Sequence, residues 1–98
     1  MGVRIYGIIL REGKVLSVKT HGYDVFPGGK IKVGETDSSC LKREFFEEFS
    51  GSRIIVGEFY KAFFGKDART KERFLCKNYF CYDILSLLLK ESKIGERR

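Results

Sequence analysis

The sequence predicts a single α+β domain over residues 1–98, one helix standing among extended segments. Three observations predict it. Val3 to Leu10 is apolar on both faces and rich in β-branched residues, as in a strand buried within a sheet. Thr36 and Asp37 open a Glu- and Lys-rich stretch in which Leu41, Phe45 and Phe49 recur every four residues, so it reads as a helix with one apolar stripe. Arg53 to Gly65 and Arg73 to Ser86 are long runs of β-branched and aromatic residues on either side of a polar turn, and both read as strands.

The smaller elements follow in order. The polar turn Arg11-Glu12-Gly13-Lys14 joins the first strand to Val15–Lys19, a second short strand carrying Val15, Leu16 and Val18, so the two form a hairpin. Tyr23 to Phe26 is a third extended piece. Pro27-Gly28-Gly29 removes a backbone donor and then permits unusual φ angles, which predicts a sharp loop from there to the helix. Ser50-Gly51 supplies a left-handed stop at the far end of the helix. The stretch from Leu87 to Arg98 reads equally as a short helix or a frayed tail.

Hydrophobic residues make up 43% of the chain and charged residues 33%, a globular balance that excludes a disordered chain. The formal charge of +6 is unevenly placed: residues 1 to 60 hold 9 basic and 8 acidic side chains, residues 61 to 98 hold 10 and 5. A basic second half suits polyanions such as nucleotides or RNA, although a solvated surface accounts for it equally simply. Cys40, Cys76 and Cys81 form no C-x-x-C pair and read as buried thiols. No stretch of about 20 apolar residues and no signal-type N-terminus is present, so the expected setting is cytoplasmic, without membrane contact.

On the helix, Glu44, Glu47 and Glu48 stand at i, i+3 and i+4, which places three carboxylates within about one turn of each other. Like charges at this spacing repel, and a cation is the natural compensation, but an isolated E-x-x-E-E is usually a solvated helix face. The residues before it change the reading. Gly29 is followed by Glu35 six positions on, then by Arg43-Glu44, an apolar Phe45 and Glu47-Glu48, the whole segment standing as GKIKVGETDSSCLKREFFEEFSG.

This segment resembles the signature of the Nudix hydrolase family, G-x5-E-x7-R-E-U-x-E-E-x-G-U, with U a bulky apolar residue. The Gly, the four Glu and the Arg match at the right spacing. Phe26-Pro27-Gly28-Gly29 and Gly34-Glu35 are similar to the family's usual flanks, and the resemblance runs from about Val3 to Ser86. Ser50 stands where the signature has its second Gly, with Gly51 one place later. The resemblance implies a Nudix-like mixed β-sheet with a loop-helix-loop, here lacking the usual C-terminal strand and helix.

The resemblance also implies roles. Glu47 and Glu48 would be the principal ligands of Mg2+ or Mn2+, Glu44 a further ligand or the base acting on water, and the Gly29 carbonyl a backbone ligand. Arg43 would orient a catalytic carboxylate, and Glu35 would support the loop and Arg43. Lys30 reads either as a phosphate contact or as a solvated cation, and the lone His21 as non-catalytic. The implied activity is pyrophosphohydrolysis of a nucleoside diphosphate linked to another moiety, a nucleoside triphosphate or dinucleotide polyphosphate by elimination. The alternatives are a non-catalytic Nudix-fold module binding nucleotides or RNA, or an inactive truncated homologue. Tyr6, Tyr23, Phe26, Phe64 and Tyr79 are candidates to stack on a base, though aromatics at strand positions more often enter the core. Without the last strand and helix, Ile84, Leu85, Leu87, Leu88 and Leu89 would lack partners, which predicts a two-fold homodimer.

Overall fold

Strand β1 (Gly2–Ile8) pairs along both edges, as its apolar, β-branched sequence requires. The computed structural model describes residues 1–20 and 22–84. In it, β1 runs antiparallel to β6 (Gly28–Lys30) on one side and parallel to β8 (Arg73–Asp83) on the other, with Ile5 opposite both Gly29 and Lys77. The antiparallel partner of β8, β7 (Ile54–Lys66), completes a mixed four-stranded sheet of order β6-β1-β8-β7.

The loop expected from Pro27 onward is corrected at Gly28–Lys30, which is a strand. Pairing with β1 outweighs the poor strand propensity of Gly-Gly, and backbone bonds from Gly7 N to the Pro27 carbonyl (2.9 Å) and from Ile31 N to the Val3 carbonyl (3.1 Å) extend the contact at both ends. Only glycine fits at position 28: its φ is 147°, and a β-carbon there would lie 2.1 Å from the Ile5 carbonyl oxygen.

The expected hairpin after β1 is present in shorter pieces. Leu10–Arg11 (β2) and Lys14–Val15 (β3) close around Glu12 and Gly13, both at positive φ, and Val18–Thr20 (β4) pairs with Tyr23–Val25 (β5). Leu16 and Val18 turn into the core between these pieces.

Helix α1 (Asp37–Glu48) starts at a capping box. Thr36 Oγ1 accepts from Ser39 N at 3.1 Å, and Ser39 Oγ accepts from Thr36 N at 2.9 Å, which satisfies two amides at the helix start. At the other end Ser50 and Gly51 both adopt positive φ, and Gly51 N donates to the Phe46 carbonyl at 2.9 Å, the left-handed stop the sequence predicts. The stripe Leu41, Phe45 and Phe49 packs with Cys40 against Ile5, Ile54 and Cys81 of the sheet. All three cysteines are free and buried, and burial pushes the Cys81 thiol up to about 12.

The aromatics divide differently from expectation. Tyr6, Phe26 and Tyr79 are half-buried, whereas Tyr23 and Phe64 are exposed and enter no core. Two register shifts in β7, between Val56 and Phe59 and between Phe59 and Lys61, interrupt the alternation from which a buried face would be read. His21 and the C-terminal stretch from Leu85, on which the expectations of a non-catalytic histidine and of a leucine-lined dimer contact partly rest, lie outside the described residues. Among the described residues, no helix is long and apolar enough to cross a membrane.

Candidate active site

The short strand β6 and the helix α1 meet at Gly29 and Glu44. A β-carbon at Gly29 would fall 2.6 Å from Glu44 Oε2 and 2.9 Å from Oε1, so the carboxylate occupies the space that any side chain at position 29 would need. This brings the Gly29 backbone and the Glu44 carboxylate together. Beneath them, the buried Cys40 points its thiol at the Gly29 and Lys30 carbonyls, 3.8 and 3.7 Å away. Burial, and then the nearby Glu35 charge, push that thiol up to about 11.

Arg43 ties the loop to the helix. Its Nε and Nη2 donate to the two oxygens of Glu35 at 2.5 and 3.1 Å, a bidentate pair. Its Nη1 donates to Glu44 Oε2 at 2.9 Å and to Glu47 Oε1 at 3.4 Å, and Nη2 also reaches the Lys30 carbonyl at 3.1 Å. Glu35 is held from a second direction by the Lys32 amide at 2.8 Å. The Arg43 pair, then the Lys32 bond, lower the Glu35 carboxyl to about 2, while the Glu35 bond first and the Glu44 bond next raise Arg43 above its usual value.

Three carboxylates thus share one guanidinium, which leaves the cluster negative. Glu47 is the most open, with its side chain 56% exposed against 17% for Glu44. Glu48, one turn beyond Glu44, is half-buried at the end of the same helix. The side chain of Lys30 is exposed and forms no salt bridge among the described residues.

Among the described residues, no group of three or more His, Cys, Asp and Glu is gathered as a metal-ligand set, and Arg43 is bonded to Glu35, Glu44 and Glu47. The donors nevertheless fit a hard divalent cation. All are oxygens, the surplus charge is negative, and Glu44 already rests against Gly29.

Sequence reasoning missed two features. Asp37, the first residue of α1, accepts from the Tyr79 hydroxyl and from Lys77 Nζ (3.1 Å), which clamps the helix start to β8. Burial, then this bond, raise the Tyr79 hydroxyl to about 12. The available signal was the i, i+2 spacing of Lys77 and Tyr79, which puts both on one face of a strand. The second is a cavity of about 440 Å3 on the sheet face away from α1, lined by Tyr6, Val25, Phe26, Phe63, Phe74 and Asn78. It joins two of the candidate stacking residues, Tyr6 and Phe26, but neither Tyr23 nor Phe64 nor Tyr79.

Comparison with known proteins agrees with this architecture. The sequence model described as the NUDIX domain matches residues 1–93. A MutT Nudix hydrolase from Burkholderia pseudomallei superposes with a TM-score of 0.74 at 23% identity, over 83% of this chain and 66% of that one. A Nudix hydrolase from Nitrosomonas europaea gives 0.74 at 19%, over 85% and 59%. A protein from Chromobacterium violaceum, described as a Nudix hydrolase family member, gives 0.63 at 28%, over 85% and 51%. The chain therefore spans between about half and two thirds of the length of these structures. No curated protein matches it. With its mixed sheet, its capped helix and the spacing of Gly29, Glu35, Arg43, Glu44, Glu47 and Glu48 all in place, the chain belongs to the Nudix family.

Proposed function

We propose that the chain is a divalent-cation-dependent hydrolase that cleaves the phosphoric anhydride of a nucleoside diphosphate linked to another moiety, a nucleoside triphosphate or a dinucleotide polyphosphate. The observation that carries this reading is the packing of Glu44 against Gly29 under the Arg43 clamp, on the helix that also bears Glu47 and Glu48. A solvated helix face needs neither a glycine cut to fit a carboxylate nor an arginine shared by three of them.

Glu47, Glu48, Glu44 and the Gly29 carbonyl would hold Mg2+ or Mn2+, which when bound neutralises pyrophosphate oxygens and lowers the pKa of a coordinated water. Arg43 holds Glu44 in place, and Glu35 fixes Arg43 through two parallel bonds, so the helix carboxylates are positioned before substrate arrives. Glu44 has two available roles, ligand or proton acceptor from the attacking water. Lys30, exposed beside Gly29, can meet a phosphate as the P–O bond breaks. The nucleoside would occupy the cavity bounded by Tyr6, Phe26 and Phe74, whose apolar walls favour stacking over selection of one base.

The test compares Glu47→Gln, Glu48→Gln and Glu72→Gln for magnesium-dependent release of phosphate or pyrophosphate from a panel of nucleotides. Each of the first two is expected to slow hydrolysis roughly a hundredfold or more with folding intact, because each removes a charged donor to the cation. Glu72→Gln, outside the cluster, is expected to leave the rate unchanged. Full activity in both helix variants would refute the assignment.

A further inference from the structure

The β7–β8 hairpin carries a surface that the carboxylate cluster does not use. Phe59, Tyr60, Phe63 and Phe64 are each at least half exposed, an unusual density of open aromatic rings on one strand. Two of them are braced from below: Tyr60 stands edge-on to Phe80 with centroids 5.2 Å apart, and Phe59 to Tyr79 at 5.4 Å. Braced rings keep their faces turned outward and lose little freedom when a second planar group settles on them.

Basic residues interleave with these rings. Lys61, Lys66, Lys71 and Arg73 are exposed and form no salt bridge among the described residues. In the turn Asp67 is taken up by Arg4 at 3.1 Å and by the Arg69 and Thr70 amides, which leaves the exposed Glu72 as the acidic side chain set beside Lys66, Lys71 and Arg73. Register places Lys61 opposite Asn78 and Phe63 opposite Cys76, on the sheet face away from α1, where Tyr60 also packs on Phe80. Phe63 is in addition a wall of the cavity that contains Tyr6 and Phe26, whereas Phe59, opposite Tyr79, and Phe64, opposite Leu75, stand on the other face of the sheet. On the same face the Arg4 guanidinium already stacks over Phe74 at 4.0 Å.

We propose that this face binds single-stranded nucleic acid, with bases stacking on Tyr60 and Phe63 and the phosphates met by Lys61 and the cations at the hairpin end. Rings that accept any base, separated by cations at the spacing of a strand, match an unpaired polynucleotide better than they match a duplex, whose bases are already stacked. A second copy of the chain is a poorer occupant. A two-fold contact would set the same lysines against themselves, and the two register shifts in β7 spoil its edge for strand addition. The inference does not depend on hydrolysis at the carboxylate cluster.

The experiment measures fluorescence anisotropy of a labelled oligouridylate and an oligodeoxythymidylate of about 12 nucleotides, and of a duplex of equal length, with the full chain in EDTA over a salt series. Expected are binding of both single strands that weakens steeply with salt, weaker binding of the duplex, and a loss of at least roughly tenfold in Tyr60→Ala and Phe63→Ala. Lys61→Gln should weaken binding and lower the salt slope by about one phosphate contact. Tyr23→Ala, an exposed aromatic on β5, should change nothing. Photocrosslinking of a 4-thiouridine oligomer to the wild-type chain should mark Tyr60 or Phe63, which needs no variant to fold. The proposal is overturned by absence of binding at tens of micromolar protein, by binding indifferent to the aromatic variants, by crosslinks elsewhere only, or by a dimer in light scattering that dissociates in Tyr60→Ala.

Discussion

Arg43 touches Glu35, Glu44, Glu47 and the Lys30 carbonyl, whereas Lys61, Lys66, Lys71 and Arg73 on the hairpin touch no carboxylate among the described residues. The aromatics divide in the same way: Phe45 on the helix is fully buried, while Phe64 on the hairpin is 68% exposed. Similar residue types therefore do opposite work in the two regions. Around the helix, charges and rings are spent on fixing one geometry, as a reaction centre needs. Along the hairpin they are left available, which suits capture of a ligand that brings its own order.

Truncating the two phenylalanines separates the regions most sharply. Phe45→Ala opens a void between α1, β1 and β8 and is expected to cost about 3–5 kcal/mol of stability. Phe64→Ala is expected to stay within about 0.5 kcal/mol, as surface changes do. Both are read from denaturant midpoints, and a large loss for Phe64→Ala would mean that the hairpin is part of the folding core.

Two adjacent glycines sharpen the contrast within the site itself. At Gly28 an added β-carbon meets the Ile5 backbone, which cannot yield, so Gly28→Ala should be destabilising by about 1 kcal/mol or more. At Gly29 it meets only the end of the Glu44 side chain, so Gly29→Ala should preserve the melting temperature while displacing that carboxylate. Hydrolysis is then expected to fall at least roughly tenfold, equivalent to about 1.4 kcal/mol in the barrier. Equal stability losses in the two variants would show that Gly29 is structural.

The smallest effect is one of pH. The Glu35 carboxyl titrates near 2 in the folded chain against an ordinary value of 4.5, so its pairing with Arg43 is depressed-pKa stabilisation. It is fully present above about 4.5 and lost as pH falls toward 2. The gap in melting temperature between the wild type and Glu35→Gln should accordingly be constant at neutral pH and close between those two values. A gap that closed near neutrality would assign it to another group.

The legible parts of the chain are those whose determinants are local. Thr36, Ser39, the Leu41-Phe45-Phe49 stripe and Ser50-Gly51 specify α1 within its own sequence, and the carboxylate spacing follows from the helix period. The assignment of Gly28–Lys30 failed because that strand exists through pairing with β1, not through its own propensity. The cavity was invisible for a related reason. Tyr6, Phe26, Phe74 and Asn78 come from three segments that meet only once β1 and β8 pair, and the register shifts of β7 hide which of its rings face inward. Asp37 read as a helix-start acid, and nothing near it in sequence announces Tyr79 and Lys77 as its partners.

The parallel register of β1 with β8 sets a timetable for synthesis. Gly2 pairs with Phe74 and Ile8 with Phe80, so β1 is made long before β8, its parallel partner and the last of the described strands. Until β8 emerges, β1 is paired along the β6 edge alone, and the buried face of Ile5 lacks the Cys81 side of its packing. The pairing that organises the sheet is also the one that spans the longest stretch of sequence, so it forms late. A nascent chain stalled within β7 would present apolar β1 to the cell, which makes β8 the segment on which escape from early aggregation turns.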